Sequence, residues 1–534
     1  MSEILFTLTL IFTAAATALL ISRELDQPAV PLYILSGLFL TNFMELNQVL
    51  DLSRVGIAFL VFIYGVKFST RKLQSVARNG GLAAVVSIVM TTTLALPTAL
   101  LLQLRGIEIA VFVSASALSS SLVGLELISD DLRKELVHSR LIETVQLLQD
   151  LAAVILILLI FSVTPLHAVT YGLVLLILSY SFKKGFTVFA KSFKDSTETI
   201  MVFSLGTLAG FVGISYILEI PTVVGAFAAG LALSKYPYSL EIIDTVGTLK
   251  DFFTAILFVS IGAIAATADT QVFITAAAIT AFTLVVNPFV IYTALRTVEE
   301  NSRVAFLTGL GLDQVSEFAV IIAIQAYLLE LIQIGLLQSV VVATAATMTL
   351  SAYTSRNQQK LYKIFSNLFA TPDGMESTVD EPENHIILIG YDVQGKKIVE
   401  GLEEKPVVIE YDPEKIDGLK ERNIDYVFGD VMHQKPWEEA NYKEADLIVS
   451  TVPLRHVSDK IIGLDTEADK ILRSPDAEQA HQLMEEGATF VSVPKHLAAQ
   501  RLTEHIKGIF NSPEYRHELR RKNMLQLRKE LREE

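Results

Sequence analysis

The sequence contains no cysteine, a single tryptophan, and only 19% charged residues among 534. Without thiols the chain cannot form a disulfide scaffold, a thiolate zinc site or an iron–sulfur cluster, and it has no cysteine nucleophile. Soluble globular proteins carry about 25% charged residues, so the low charge argues against a single soluble domain. Apolar residues are abundant instead: they make up 51% of the chain, and the mean hydropathy is +0.46.

The charge is unevenly distributed along the chain. Residues 371–534 contain 34 acidic and 22 basic residues, which leaves 24 acidic and 21 basic residues in the first 370. The chain therefore divides into an apolar N-terminal part and an acidic, soluble C-terminal part. Neither part has the basic surface that nucleic-acid binding requires, so we expect no nucleic-acid partner.

Apolar stretches that approach the roughly 20 residues needed to cross a bilayer recur up to about residue 353. We predict thirteen spans, at residues 3–22, 28–44, 53–66, 82–102, 107–128, 141–163, 166–181, 198–217, 221–234, 252–267, 271–294, 304–327 and 333–353. The short span 221–234 is the weakest, and a count of twelve stays open. The first stretch lacks a basic leader and a small-residue cleavage site, so we interpret it as a span.

Basic residues fall on alternate loops when thirteen spans are assumed. One side carries Lys67, Arg71, Lys72, Arg78, Arg133, Lys134, Arg140, Lys183, Lys184, Lys191, Lys194, Lys235, Lys250, Arg296 and Arg303, and the other carries little beyond Arg54 and Arg105. Loops rich in Lys and Arg stay in the cytoplasm. We therefore expect a multi-pass plasma-membrane protein in the lipid bilayer, with its N-terminus outside and its acidic part in the cytoplasm.

Asp150 lies inside the predicted span 141–163, where an ionised carboxylate is costly unless it is paired or hydrated. We find no Lys or Arg within a neighbouring predicted span to pair with it. Asp150 must then hold a proton, bind a mobile cation or face water, which is the chemistry of proton–cation exchange. Helical spacing places Glu143 and Gln146 on the same face. The alternative is a neutral, hydrogen-bonded carboxyl group with a structural role.

Two further polar stretches indicate interrupted helices. Ser114 to Ser121 carries five serines, which could satisfy backbone groups at a break or simply allow close helix packing. Gly309 to Phe318 places two glycines before Asp313 and Glu317. Two broken helices beside an acidic residue, one in each half of the chain, are typical of inverted-repeat transporters.

Six short motifs together resemble the monovalent cation:proton antiporter-2 family, and within it the Kef-type potassium efflux transporters. They are Phe59–Gly65, Ala117–Ser121, Gln149-Asp150, Gly225–Leu233, Leu257–Gly262 and Gln314–Phe318. The resemblance covers nearly the whole chain. It implies an all-α membrane antiporter fold of thirteen spans with crossed broken helices, K⁺ and H⁺ as substrates, and a homodimer.

The resemblance also implies an ion site, with the monovalent cation bound at Asp150. The residues expected around it are Gln149, Ser119, Ser120, Ser121, Asn287, Asp313, Gln314 and Glu317. Asn287 stands where many relatives carry a lysine, and Lys67 stands where an acidic residue is usual. The missing lysine leaves Glu317 without its expected partner, so Glu317 is either protonated or paired elsewhere.

The C-terminal part alternates short apolar runs with helical stretches, which is typical of βαβ units. Its order predicts an α/β Rossmann-type sheet whose first turn meets phosphates and whose second strand ends near a ribose. The region resembles the regulator-of-potassium-conductance (TrkA-type) domains of Kef-type proteins, which bind AMP, NAD(H) or ATP. The expected binding residues are Gly390, Tyr391, Asp392, Gly395, Glu410, Asp412, Asp430 and Thr451.

Asp392 replaces the middle glycine of the G-x-G-x-x-G fingerprint, and its charge would repel a pyrophosphate. The expected regulatory ligand is therefore AMP, with NAD(H) or ATP as alternatives. A Rossmann fold that only assembles the dimer stays open. The expected organisation is an exchanger domain at 1–355, a linker at 356–383, the Rossmann-like domain at 384–510 and a charged helix at 511–534.

The leading functional hypothesis is a secondary antiporter, not an enzyme, that exchanges a monovalent cation, K⁺ first, for H⁺ and needs no cofactor for transport. Ligand-gated K⁺ efflux is the nearest variant. A membrane-anchored NAD-dependent oxidoreductase fits poorly, because no histidine lies deep in a predicted span and no substrate domain is evident. A transporter-derived nucleotide sensor without transport is a third alternative.

Overall fold

The computed structural model describes residues 2–533 except 26, 44–45, 69–77, 130–136, 191–196, 236–237, 266–268, 299, 301, 370–377 and 380–381. The contacts divide the chain into two compact units, Met1–Thr371 and Pro372–Glu534. Six of the loop residues behind the predicted orientation lie outside the described residues: Arg71, Lys72, Arg133, Lys134, Lys191 and Lys194.

The first unit is helical. Its helices are α1 (Ser2–Leu25), α2 (Ala29–Leu38), α3 (Leu46–Lys67), α4 (Arg78–Leu101), α5 (Ile107–Ala117), α6 (Ser121–Leu127), α7 (Val137–Phe161), α8 (Pro165–Ala190), α9 (Thr197–Ile217), α10 (Thr222–Leu233), α11 (Tyr238–Ile264), α12 (Thr270–Ala281), α13 (Asn287–Arg296), α14 (Ser302–Leu310), α15 (Glu317–Leu328), α16 (Ile334–Arg356) and α17 (Gln358–Phe369). A π-helical turn, Phe282–Val286, joins α12 to α13.

Each of the thirteen predicted spans coincides with one helix or with a helix pair. Among the described residues eight helical segments are long and apolar enough to cross a membrane, and α11, bent by 45°, makes a ninth. The other four are the short helices α2 and α10 and the interrupted pairs α5/α6 and α14/α15. The predicted membrane helical fold is confirmed.

Two of the sequence motifs pack one helix against another. A Cβ on Gly65 of α3 would lie 2.4 Å from the carbonyl oxygen of Phe227, and one on Gly230 of α10 would lie 2.2 Å from that of Phe62. Both distances are far shorter than a carbon–oxygen contact, so only glycine lets these two backbones touch. Motifs Phe59–Gly65 and Gly225–Leu233 thus hold α3 against α10.

The segment predicted as a linker, 356–383, begins with an amphipathic helix. Tyr362 of α17 is buried, and the ring of Phe365 lies 4.7 Å from that of Phe306 on α14 and 4.9 Å from that of Tyr292 on α13. These aromatic contacts order α17 on the first unit. Sequence reasoning missed the helix because its polar face dilutes the apolar signal.

The second unit is a parallel six-stranded sheet with connecting helices. Its elements are β1 (His385–Ile389), α18 (Val393–Gly401), β2 (Val407–Glu410), α19 (Pro413–Glu421), β3 (Tyr426–Phe428), α20 (Lys435–Glu439), β4 (Ala445–Ser450), α21 (Arg455–Ile462), β5 (Asp469–Arg473), α22 (Ala477–Glu485), β6 (Phe490–Ser492), α23 (Pro494–Asn511) and α24 (Pro513–Glu533). The strand order is β3-β2-β1-β4-β5-β6.

This order confirms the predicted Rossmann-type sheet, in which the strands reverse direction of progression between β1 and β4. Strand β1 lies in the middle, with Ile387 opposite Val407 on one side and Ile448 on the other. Strand β5 has a weak signal in the sequence, because its two apolar residues are flanked by charged ones. Trp437, the single tryptophan, is fully buried in this unit.

Candidate functional site

The two interrupted helices of the first unit cross at their breaks. Ser119 and Val315 pair as an antiparallel β-bridge. The amide of Ser120 donates to the carbonyl of Gln314 at 3.2 Å, and the amide of Ser316 donates to that of Leu118 at 3.0 Å. Backbone groups freed by the two breaks therefore satisfy each other, which is how irregular backbone is tolerated at membrane depth.

Glu317, the first residue of α15, is enclosed by hydroxyl groups. Ser120 Oγ and Ser121 Oγ each donate to its carboxylate at 2.8 Å, and the Tyr64 hydroxyl also donates to it. The side chain is 1% exposed. The missing lysine at position 287 thus does not leave Glu317 alone: it is paired elsewhere, with three hydroxyls from α3 and the first break.

Two glutamines of α7 brace the first break. Gln149 Oε1 accepts from the amide of Ser119 at 3.0 Å, and its Nε2 donates to the carbonyl of Ala117 at 3.3 Å. Gln146 Nε2 donates to the carbonyl of Ser120 at 2.8 Å. Both ends of the Gln149 amide are therefore engaged by the chain itself, which makes this side chain a support of the site.

Asn287 holds the crossing from the other side. Its Nδ2 donates to Ser119 Oγ at 3.2 Å and to the carbonyl of Leu312 at 3.1 Å. Its Oδ1 accepts from Ser87 at 2.8 Å and from Thr91 at 3.3 Å. The residue is fully buried, and none of these bonds reaches Asp150 or Glu317. At the position where the resemblance places a lysine, Asn287 connects the two breaks by hydrogen bonds.

Asp313 and Gln314 face a different helix from the one that carries Asp150. The carboxylate of Asp313 accepts from Ser351 and, at 2.7 Å, from Thr354 of α16, and Gln314 Nε2 donates to Ser351 Oγ at 2.5 Å. The two residues therefore tie the second break to α16. Glu317, four residues after Asp313, has a different set of partners, namely the hydroxyls of Tyr64, Ser120 and Ser121.

Asp150 differs from Glu317 in its hydrogen bonding. Its side chain is only 8% exposed, it lies beside Ser121 and Glu317, and its Oδ1 has no hydrogen-bond partner among the described residues. It also lines a cavity of about 840 Å³. A carboxylate that has an unpartnered oxygen and belongs to a residue lining such a cavity can take a proton or a cation.

The cavity is lined by charged groups from five helices. Besides Asp150 they are Arg23, Lys67, Glu126, Arg140, Glu143, Lys250 and Asp251. Arg23, Glu126, Arg140 and Asp251 are exposed, so the cavity opens to the surface where α1, α3 and α6 end and α7 begins. Among the described residues no group of three or more His, Asp or Glu is arranged to hold a resident metal ion.

In the second unit Asp392 caps the helix where a dinucleotide phosphate would bind. Its Oδ1 accepts from the amide of Gly395 at 2.8 Å at the start of α18, and its Oδ2 lies 3.5 Å from Arg473. Gly390 has a φ of +89°, in the left-handed region that glycine tolerates. A Cβ on Gly395 would lie 2.3 Å from the carbonyl oxygen of Gly390. The turn is thus closed by a carboxylate.

Glu410 ends β2 with its carboxylate turned inward. Oε2 accepts from the amide of Tyr391 at 2.6 Å, and Oε1 accepts from those of Tyr411 and Asp412 at 2.9 and 3.0 Å. Burial raises the pKa of Glu410, and the ammonium of Lys415 at 3.7 Å offsets this only in part. The carboxylate predicted to meet a ribose is therefore used to shape the first turn.

The other predicted nucleotide residues lie at the carboxyl edge of the sheet. Asp412 is buried and lies 3.6 Å from Lys415, Asp430 caps its own turn by accepting from the Met432 amide at 2.9 Å, and Thr451 Oγ1 donates to the carbonyl of Ile389 at 3.1 Å. Together with Tyr391 they follow the carboxyl ends of β1, β2, β3 and β4.

Sequence reasoning missed two participants. Tyr64 lies in an apolar stretch of α3, and nothing in its local sequence marks a buried hydroxyl aimed at a residue 253 positions away. Lys67 was noted as unusual but was not expected near Asp150. It lies at the end of the same helix, lines the same cavity and acts electrostatically on the Asp150 carboxylate.

The chain matches two families and several characterised proteins. Residues 9–356 match the family described as sodium/hydrogen exchanger, transmembrane, and residues 386–494 match the TrkA-N domain. K(+) efflux antiporter 6 of Arabidopsis thaliana is 24% identical over 346 residues, 60% of this chain and 57% of that protein. The putative cation/proton antiporter YbaL of Escherichia coli (strain K12) is 23% identical over 523 residues, 88% of this chain and 90% of that protein.

The chain spans 57% and 56% of the length of the two Arabidopsis relatives named K(+) efflux antiporters 6 and 4. Among solved structures, the sodium proton antiporter MjNhaP1 of Methanocaldococcus jannaschii aligns with a TM-score of 0.52 at 14% identity, over 67% of this chain and 98% of that one. That likeness shows a shared fold. Because the exchanger match covers well over half of the sequence, the chain belongs to the transmembrane sodium/hydrogen exchanger family and carries a C-terminal TrkA-N domain.

Proposed function

We propose that the chain is a secondary antiporter that exchanges a monovalent cation, with K⁺ as the preferred one, for H⁺ by competition at Asp150. The observation that carries this proposal is the buried Oδ1 of Asp150, which has no hydrogen-bond partner among the described residues, in a residue that lines a cavity. Membership in an exchanger family supports a transporter over a membrane-anchored oxidoreductase.

Competition couples the two fluxes when the site faces the two sides of the membrane in turn and changes sides only with an ion bound. A single carboxylate takes either a proton or a cation, so each ion that arrives displaces the other. Hard cations prefer oxygen ligands, and the Ser121 hydroxyl and the Glu317 carboxylate lie beside Asp150. Ser119, Ser120 and Gln149 hold the crossed breaks in place.

We further propose that K⁺ is preferred over Na⁺. Gln149, which precedes Asp150 in the sequence, is a neutral amide at a position where sodium-type relatives more often carry an acid. The site then has one carboxylate fewer, and its weaker field favours the ion that is easier to dehydrate. The names of the K(+) efflux antiporters of Arabidopsis thaliana support the same choice. Ligand-gated K⁺ efflux without tight coupling is the nearest variant.

The cavity is proposed to open to the cytoplasm, because it lies at the helix ends that the positive-inside rule places there. Lys67, Arg140 and Lys250, which belong to the basic side of the predicted topology, all line it. The proposed state is therefore inward-facing. We also propose that the protein is a homodimer in the plasma membrane, with its N-terminus outside.

The TrkA-N domain is proposed to bind a regulatory nucleotide with one phosphate, such as AMP, in preference to NAD(H) or ATP. Asp392 accepts the Gly395 amide and so occupies the position of an anion at the start of α18. Like charges about 4 Å apart repel by ~1 kcal/mol in water and by ~4 at an effective dielectric of 20. Arg473, which lies 3.5 Å from Asp392, is the cationic group proposed to receive the single phosphate.

Transport in liposomes tests the proposed function. Purified protein is reconstituted with a pH-sensitive dye inside, and K⁺, Rb⁺ or Na⁺ is added outside. We expect the interior to become alkaline, because each cation that enters is exchanged for H⁺ that leaves, with lower half-saturation for K⁺ and Rb⁺ than for Na⁺. K⁺ flux without proton movement would favour the gated efflux variant, and equal or better half-saturation with Na⁺ would contradict the selectivity.

A further inference from the structure

Lys67 lines the same cavity as Asp150, and its positive charge attracts the Asp150 carboxylate. It is the last residue of α3, its side chain is exposed to the cavity, and its charge acts on the Asp150 carboxylate. One helical turn earlier, Tyr64 donates its hydroxyl hydrogen to Glu317. That bond fixes the end of α3 against α15, so the position of the Lys67 backbone relative to Asp150 is set by tertiary structure.

The other charged groups around the cavity are placed differently. Arg140 lies on the same helix as Asp150 but ten residues away, about 15 Å along the axis at 1.5 Å per residue. Lys250 lies 3.4 Å from Asp251 and also attracts Glu126. Arg23 is exposed at the mouth of the cavity. The acidic groups on the Asp150 side are Glu317 on α15 and, two turns along α7, Glu143.

We propose that Lys67 tunes the ion site: its ammonium group opposes every monovalent cation that approaches Asp150 and so sets the affinity and the working pH of exchange. This inference rests on the proposed competition at Asp150. The positive charge that acts on Asp150 would then come from Lys67 on α3. Position 287 carries an uncharged amide instead, which is bonded to the helix breaks.

The proposal has a quantitative signature. H⁺ and K⁺ carry the same charge and bind the same carboxylate, so removing a fixed positive charge strengthens both by the same factor. At alkaline pH, where no proton competes, the half-saturating cation concentration must fall by that factor. At acid pH the gain in cation binding and the gain in proton competition cancel, so the half-saturating concentration must stay the same.

The size of the factor follows from Coulomb's law. Two unit charges roughly 10 Å apart interact strongly enough, at effective dielectric constants between about 40 and 20, to change a binding constant about four- to sixteenfold. We therefore expect Lys67→Gln to lower the alkaline half-saturation about fourfold or more and to raise the pH midpoint by about 0.6 units or more. Lys67→Glu should roughly square the factor.

The test is cation-induced proton release by the purified full-length protein, measured with KCl between pH 6 and 9. Lys67→Arg keeps the charge and should keep the wild-type profile, and Lys250→Gln is the matched control that removes a cavity lysine paired with Asp251. In Lys67→Gln we expect a lower half-saturating K⁺ concentration at alkaline pH and an unchanged one at acid pH. Both controls should keep the wild-type values at every pH.

Three results would overturn the inference: an unchanged Lys67→Gln profile, an equal change at all pH values, or the same shift in Lys250→Gln. A variant with reduced amplitude but wild-type half-saturation at every pH would assign Lys67 a structural role only. Asp150→Asn is run beside them. If it still releases protons, the proposed function fails. If it is silent while Lys67→Gln is unchanged, the function stands and only the role of Lys67 fails.

Discussion

Ser120 and Glu317 are joined by a hydrogen bond of 2.8 Å, although they begin different helices 197 residues apart in the sequence. Ser120 is the N-cap of α6, and Glu317 is the first residue of α15. The N-terminal ends of both second half-helices thus meet at one carboxylate. Helix N-termini carry a partial positive charge, so this carboxylate is placed where two such ends can stabilise it.

Glu317→Ala should destabilise the first unit. It leaves the hydroxyls of Tyr64, Ser120 and Ser121 without their acceptor, and a hydrogen bond to a charged group contributes about 1.5–3 kcal/mol. We expect a loss of about 3 kcal/mol or more, a lower melting temperature in detergent and no exchange. Glu330→Ala, which removes a carboxylate beyond the C-terminal end of α15, is the control. A fully stable and active Glu317→Ala protein would show that the hydroxyl cage does not hold the crossing.

Gln149→Leu separates two roles for this residue. As a brace of the first break, Gln149 binds the Ser119 amide and the Ala117 carbonyl, and losing both should cost about 1–3 kcal/mol. We expect a lower melting temperature and a lower rate of exchange with unchanged K⁺ over Na⁺ preference. Transport assays with the two cations measure this. Normal stability with lost selectivity would instead make Gln149 a direct ligand of the ion.

Asp392→Ala tests the closed turn of the TrkA-N domain. Loss of the N-cap should lower the stability of this unit by about 1 kcal/mol. The same change frees the Gly395 amide and releases Arg473 from its acidic partner, so NADH should bind more tightly. Calorimetric titration of the full-length protein with AMP and NADH measures both affinities. Unchanged or weaker NADH binding would show that Asp392 does not exclude the second phosphate.

The stability of the second unit should depend on pH through Glu410. Burial raises its pKa in the folded state above the ordinary value of about 4.3. The protonated form therefore stabilises the fold: this contribution is fully present below about pH 4.3 and is lost as the pH rises through the raised pKa. Glu410→Gln should remove this component.

Trp437 makes that measurement specific to one unit. It is the single tryptophan of the chain and is fully buried in the second unit, with its indole nitrogen donating to the Val431 carbonyl at 2.7 Å. Its fluorescence therefore follows the unfolding of the TrkA-N domain within the intact protein. Identical pH profiles for the wild type and Glu410→Gln would mean that Glu410 titrates alike in the folded and unfolded states.

Much of the fold could be predicted from local sequence, because long apolar runs and alternating βαβ patterns are local signals. The two breaks were predictable from serines and paired glycines, and Asp150 from its position in a span without a cation. Tyr64 and Arg473 were not, because their roles arise from contacts with residues distant in the sequence. The same holds for Gln149 and Glu410, whose polar atoms turned out to face the backbone.

The most direct test of the central claim is cation-induced proton release from purified Asp150→Asn, with Asp251→Asn as the matched control. Asp251 lines the same cavity but is largely exposed at its mouth. We predict that K⁺ releases protons from the wild type and from Asp251→Asn, and that Asp150→Asn releases none while keeping its wild-type melting temperature. Proton release by a folded Asp150→Asn protein, with wild-type half-saturation, would contradict exchange by competition at Asp150.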